Sequence, residues 1–497
     1  MQKSIVLITV DCLRADHVGF MGYDRPTTPF LDSLASEAFV FPSAIVAGAP
    51  TYYSFPAIMA SRYPLALGRD VLGLAPGEPS LASVLKGAGY ATASFGAANP
   101  YISGQFGYAE GFDTFRDFLN TEFAALTENT TPTPNGNGWS SRLNRKLQEL
   151  RPHMGPLGAA YDGFYFQYCQ RLASPAPGSL DELRRFPAAD VIVDHALPWL
   201  ESVGQHPFFL WLHLMDPHAP YYPKAKAVEL MGCDPVTPFR ARYLNSYWNR
   251  SDLGLRGLKR HREHIVALYD AGIRWVDEQV ARLVAALRDS SRWPDCIFSL
   301  TADHGEEFLD HGGRFHPPSR LTEELIHVPL LLRVPGTTKK ELPKSPFSLL
   351  NLAPTLLDVA GLAIPQAFRG SSSRAQIREG ALHDETAISE CVVGCTNPFR
   401  IENRLGPRVL SVREARYKLV LEFDPPADRL YDLEADPGEQ QPLPATAEKP
   451  VRRRLLQCAR EHVQGSVRER DVGARLQARL HELRLEWAPS SPEHSEA

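Results

Sequence analysis

Short, wholly apolar runs alternate along the chain with longer stretches whose apolar positions recur at helical spacing. Ser4–Val10 (SIVLITV) has no polar face, which predicts a strand buried on both sides. Phe208–Leu214, Cys296–Thr301 and Val328–Val334 repeat that pattern, and Tyr90–Phe95 is a further strand. Between them, Pro29–Phe39, Ser80–Ala88 and His264–Arg288 carry helical spacing. The alternation predicts an α/β fold, with a large, mostly parallel mixed sheet covered on both faces by helices. In such sheets binding groups collect beyond the carboxyl ends of the strands. Asp11, Asp216 and Asp303 all sit at such ends.

Past Arg374 the rhythm changes. Val409–Val412, Tyr417–Glu422 and Arg429–Leu433 predict short antiparallel strands and a small second domain. The organisation read here is a catalytic domain over 1–374 and a C-terminal subdomain over 375–497 that ends in a helical tail rich in Arg and Glu. Residues 120–187, with TENTTPTPNGNG and SPAPGS, break the pattern and read as an insertion.

Composition removes several classes. Of 497 residues, 43% are hydrophobic and 22% charged, which excludes disorder of the whole chain. A net charge of −5 without a basic block argues against nucleic acid as a partner. The N-terminal apolar run is too short for a signal peptide, and no stretch reaches the ~18 apolar residues of a membrane span. A cytoplasmic protein without membrane contact is expected. Seven scattered cysteines fit free thiols, and Cys391 and Cys395 have no second pair nearby to make a metal site.

Asp303-His304 follows one apolar strand directly and Asp11 follows another. Two carboxylates and an imidazole make a ligand set for a divalent cation. For Asp11 the competing reading is a helix cap. His213, Asp216 and His218 share HLMDPHAPYYP, where Pro217 and Pro220 stiffen the loop. His311 and His316 share LDHGGRFHPPSR.

Together these segments resemble the sulfatase family of the alkaline-phosphatase superfamily. The resemblance rests on Val10–Gly19 (VDCLRADHVG), Gly22–Pro29, Leu31–Phe41, Thr301–Glu306 (TADHGE), Thr322–Leu330 and Arg429–Glu439 (RLYDLEADPGE), in that order. It implies a large mixed sheet between helices, a small C-terminal sheet, and hydrolysis or transfer of sulfate and phosphate esters. It implies one divalent cation (Ca, Mn or Zn) held by Asp11, Asp303 and His304, with a nucleophile as the next ligand. Sulfatases place there a Cys, in Cys-x-Pro-x-Arg, that is oxidised to formylglycine. Counting back from Arg62-Tyr63-Pro64, this chain has Thr51 at the Cys position, Tyr53 at the Pro and Phe55 at the Arg. Cys12 stands where many members have a second Asp.

A formylglycine hydrate expels sulfate from a gem-diol, whereas a sulfated Thr hydroxyl lacks that exit. Thr51 therefore points to phosphoryl transfer, and Ser54 is the alternative nucleophile. The same resemblance implies His218 at the substrate oxygens and His316 at the leaving oxygen. An oxyanion needs cationic and polar donors, and Arg62, Asn99 and His311 are the residues expected around it. The expected partner is a small anionic ester. The readings left open are a phosphate or phosphonate ester hydrolase acting through Thr51, a sulfuric ester hydrolase without formylglycine, and an inactive binding relative. No feature of the chain fixes an oligomeric state.

Overall fold

The computed structural model describes residues 2–69, 71–119, 178–382 and 386–465. Its central sheet has seven strands, β1 (Ser4–Val10), β2 (Phe39–Val40), β4 (Ala91–Gly96), β5 (Thr114–Arg116), β6 (Phe208–Leu214), β7 (Cys296–Ala302) and β11 (Leu330–Arg333). Their order is β2-β11-β7-β1-β6-β4-β5. From β7 to β5 the pairings are parallel, while β11 meets both β7 and β2 antiparallel. β6 and β7 are buried at every residue and β1 at all but Ser4, as strands without a polar face require.

Two small sheets flank this one. One joins β3 (Ala44–Ile45), β10 (His327–Val328) and β12 (Phe347–Ser348), and the other pairs β8 (Glu307–Phe308) with β9 (Arg314–Phe315). The C-terminal sheet is antiparallel throughout. Its strands are β13 (Ala387–Val392), β14 (Arg408–Arg413), β15 (Tyr417–Phe423) and β16 (Pro426–Asp432). The expected α/β class and the small C-terminal antiparallel sheet are both present.

The long helix Arg262–Asp289 buries Ile265, Leu268, Tyr269, Ile273, Val276, Val280, Leu283, Val284 and Leu287 at three- and four-residue intervals. It packs on the helix Ala189–Ser202. The opening segment is tied to it. His17, Tyr23 and Arg25 all reach the buried carboxylate of Asp270, at 2.8, 2.8 and 2.5 Å. Much of the VDCLRADHVG…GYDRP pattern is thus scaffold rather than chemistry.

Two expected elements differ. The Pro29–Phe39 helix ends at Leu34, passes through a 3-10 turn at Ala35–Glu37, and Phe39–Val40 then pairs with β11 at the sheet edge. Edge pairing outcompetes helical spacing there. Val328–Val334 is not one strand. Pro329, which has no N–H, falls between β10 and β11, and the two halves join different sheets. The segment 120–177 of the expected insertion lies outside the described residues, as does the tail beyond a helix at 449–465. The six cysteines among the described residues are free thiols. No helix among them is long and apolar enough to cross a membrane.

Candidate active site

β1 lies between β6 and β7, with Thr9 opposite His213 on one side and Thr301 on the other. The three carboxyl ends therefore emerge level. Asp11 leaves β1, and Asp303 and His304 leave β7. His213 is the penultimate residue of β6. Asn99 follows β4 by three residues and caps a short turn with its side-chain oxygen. Gly305 allows the close turn after His304, since a Cβ there would sit 1.9 Å from the Glu324 carbonyl oxygen.

Thr51 is the first residue of the ten-residue helix Thr51–Ala60. Its Oγ1 lies 3.1 Å from His304 Nε2. His304 Nδ1 faces the Gly305 carbonyl at 2.8 Å and so carries the ring proton. Nε2, on the other side of the ring, is the nitrogen that meets the Thr51 hydroxyl. The same Nε2 lies 3.6 Å from Asp11 Oδ1 and 3.6 Å from Asp303 Oδ2. On the other side of Asp11, Oδ2 accepts from Asn99 Nδ2 at 2.8 Å and lies 3.4 Å from His213 Nε2. Asp11, Asp303, His304 and His213 have no solvent exposure.

Electrostatics set these groups apart. Burial opposes the charge on Asp11, yet His218, His304 and His213 hold its carboxyl well below the usual range. Burial and the neighbouring Asp11 push Asp303 up. Asp303 Oδ2 and His213 Nε2 are both buried without a hydrogen-bond partner. A buried carboxylate oxygen without a donor is costly. Ligand atoms of Asp11, His213 and Asp303 lie within 4.8 Å of one another, as do those of Asp11, Cys12 and His304. This donor set fits a divalent cation.

His218 and His316 stand together on the open side, with ring centroids 5.1 Å apart, and His316 is 4.6 Å from the His304 ring. His316 Nδ1 is bound to Glu306 Oε2 at 2.8 Å, and Glu306 Oε1 accepts from the Tyr221 hydroxyl at 2.5 Å. Burial raises the cost of the Glu306 charge, but His316 draws its carboxyl below the usual range. Thr51, Asn99, His218, His316, Asp11, Asp303 and His304 are thus brought to one basin.

The structure places the other expected residues elsewhere. Arg62 lies beyond the far end of the Thr51–Ala60 helix, about 15 Å along its axis. Its guanidinium binds the Glu78 carboxylate and the Gly73 carbonyl. His311 Nδ1 is bound to Glu324 at 2.8 Å and its Nε2 faces the Glu439 carbonyl at 3.3 Å, so its ring belongs to the contact with the C-terminal subdomain. Asp216 is bound to Arg184 and to the Ala189 N–H, each within 2.9 Å, and serves the scaffold. Ser54 is one turn further along the helix and fully buried. His213 and Glu306 also line the basin. The first had a signal, a polar ring in the otherwise apolar FFLWLHL.

The sulfatase family model matches residues 3–362, and the model for the N-sulphoglucosamine sulphohydrolase C-terminal region matches 314–462. The chain belongs to the sulfatase family. This sulfatase-family chain is 24% identical over 404 residues to an arylsulfatase of Clostridium perfringens, covering 76% of itself and 79% of that protein. It is 26% identical over 278 residues to a choline-sulfatase of Rhizobium meliloti, covering 52% of itself and 51% of that protein. The crystal structure of a phosphonate monoester hydrolase of Agrobacterium radiobacter superimposes with a TM-score of 0.67 at 19% identity, covering 94% of this chain and 96% of the other. That likeness establishes a shared fold.

Proposed function

We propose that this chain hydrolyses a small anionic phosphate or phosphonate ester, with Thr51 as the nucleophile. One observation carries the reading. The Thr51 hydroxyl lies at the start of a helix, 3.1 Å from His304 Nε2 and beside two buried aspartates. Asp11, Asp303, His304 and Thr51 would hold a divalent cation, which would supply Lewis-acid charge against the ester's own charge. The imidazole donor suits Mn or Zn better than Ca.

The residues do the rest. The helix N-terminus behind Thr51 presents N–H groups to the ester oxygens. Asn99 holds Asp11 in orientation through its amide. His218 contacts the substrate oxygens. His316, oriented by Glu306, serves the leaving oxygen. Attack by Thr51 Oγ1 on phosphorus breaks the bond to the leaving oxygen. Water then opens the phosphothreonine. A sulfated threonine has no comparable route, since sulfate leaves formylglycine by collapse of a gem-diol.

The test compares wild type, Thr51→Ser and Thr51→Ala on aryl phosphate, aryl phosphonate and aryl sulfate esters, with divalent metal supplied. The expected result is a preference for the phosphorus esters. Thr51→Ala should lose at least about 10³-fold in kcat while Thr51→Ser keeps activity. Unchanged turnover in Thr51→Ala overturns the nucleophile. A strong preference for sulfate favours the second reading, a sulfuric ester hydrolase, which the arylsulfatase relative supports.

A further inference from the structure

The helix Pro238–Trp248 is fastened to the segments that carry both open-side histidines. Asn245 Nδ2 donates to the Tyr221 carbonyl at 2.9 Å and its Oδ1 accepts from the Tyr221 N–H at 2.7 Å, three residues past His218. At the helix end the Trp248 carbonyl accepts from the Arg314 guanidinium, two residues before His316. The helix therefore borders the side of the basin that His218 and His316 line. From 238 to 262 the chain carries seven lysines and arginines and one carboxylate, Asp252, although its net charge is −5. Positive charge gathered at the rim of a cleft draws anions toward it.

A second segment reaches the same loop. Arg184 donates to the Tyr222 carbonyl at 2.7 Å and pairs with Asp216 at 2.7 Å, and the Phe186 ring stands 6.0 Å from the His218 ring. Between them Arg185 is exposed, and its guanidinium has no hydrogen bond or ion pair among the described residues. On the helix, Arg242 lies one turn before Asn245 and so shares the face that meets the loop. Both guanidinium groups act on Tyr222. Burial pushes its phenol up, and the two positive charges draw it back. Tyr221 turns its hydroxyl to Glu306 inside the basin, whereas the Tyr222 hydroxyl has no hydrogen bond among the described residues. Two guanidinium groups and a phenol O–H are all donors, and together they suit an oxyanion.

We propose that Arg185, Arg242 and Tyr222 bind a second oxyanion, a carboxylate or phosphate carried on the organic part of the ester. The inference rests on the proposed function for the place of the reacting phosphorus. It narrows the substrate from a small anionic ester to one that is anionic at both ends. The four residues from His218 to Tyr222 span at most about 14 Å, so one small molecule reaches both places. Arginine suits the outer place, because its planar fork offers two N–H groups to one oxyanion.

Calorimetric titration of the full chain, with divalent metal supplied, tests it. The titrants are carboxyalkylphosphonates and alkyl bisphosphonates of increasing length, each against the alkylphosphonate of the same length. At the best length one doubly anionic series should bind at least about tenfold tighter, and which series does so tells a carboxylate from a phosphate. The advantage should shrink as salt rises. Arg185→Gln and Arg242→Gln should each lose most of it. Arg185→Lys keeps the charge and should retain part of it, which separates lost charge from a lost fold. Equal affinities at every length overturn the inference, and so does an advantage that survives in both glutamine variants or a failure of every series to bind. Equal affinities beside Thr51-dependent hydrolysis of phosphorus esters overturn the second oxyanion alone. An advantage without Thr51-dependent hydrolysis overturns the proposed reaction alone.

Discussion

At the seam between the catalytic sheet and the C-terminal sheet, the fully buried Lys418 meets Glu323 at 3.1 Å and Glu439 at 2.8 Å. Arg413 joins Glu323 at 3.2 Å, and Glu390 holds Arg408, His462 and the Leu65 N–H. At the strand ends, Asp11, Asp303 and Glu306 are buried as deeply. Among the described residues, however, no lysine or arginine side chain is bonded to any of the three carboxylates, and Arg14 reaches only the Glu306 backbone carbonyl. The carboxylates meet imidazoles, a thiol, an amide, a phenol and the His304 backbone N–H. Seam carboxylates are matched by cations of the chain itself. Basin carboxylates meet no lysine or arginine of the chain, and burial makes that arrangement costly without an added positive charge. Buried charge alone therefore does not mark a site; charge left without a matching partner does.

Four measurements break or sharpen that contrast. Lys418→Ala leaves two buried glutamates facing each other at the seam, and denaturant unfolding should show a loss of about 3–5 kcal/mol. Chelator treatment of metal-loaded wild type should lower stability by about 2.7 kcal/mol if metal had been held at 100 times its Kd, with no such loss in Asp303→Asn. In the metal-free state the sign reverses. Asp303→Asn removes an unmatched buried carboxylate and should gain about 1 kcal/mol while abolishing turnover. A loss of stability there would show that the basin is complete without a cation.

The smallest effect concerns His311. Its bond to Glu324 raises its pKa from 6.5 to about 9, although burial opposes the charge. The folded state thus holds the proton more tightly than the unfolded chain. That contribution is fully present below pH 6.5 and is lost as pH rises through about 9. The melting temperature of wild type should exceed that of His311→Gln by most at pH ~6, and the gap should close by pH ~10. A gap unchanged with pH would remove the ion pair from the seam.

The same contrast explains what was legible in the chain. Asp11, Asp303 and His304 stood out because polar groups directly after wholly apolar strands land at a sheet's carboxyl edge whatever the connections. Counting back from Arg62-Tyr63-Pro64 marks Thr51, yet Arg62 itself lies away from the basin. The count gives position along the chain, and the helix it crosses carries Arg62 to the far end, onto Glu78. Glu439, the last residue of RLYDLEADPGE, contributes to the seam through Lys418 and the Glu323 N–H. A conspicuous pattern can thus encode a domain contact instead of chemistry.

The order of apolar runs determined by itself the class of fold, the central strands and the edge at which polar groups gather, because burial on both faces demands uninterrupted apolar sequence. Tertiary structure alone decided the direction of β11, the break at Pro329 and the partners of Arg62, Asp216 and His311. It also decided that His213 and Glu306 belong to the basin. Spacing along a chain fixes which side of a strand or helix a residue takes. Which distant charge it meets depends on how separate segments pack, and no local pattern carries that information.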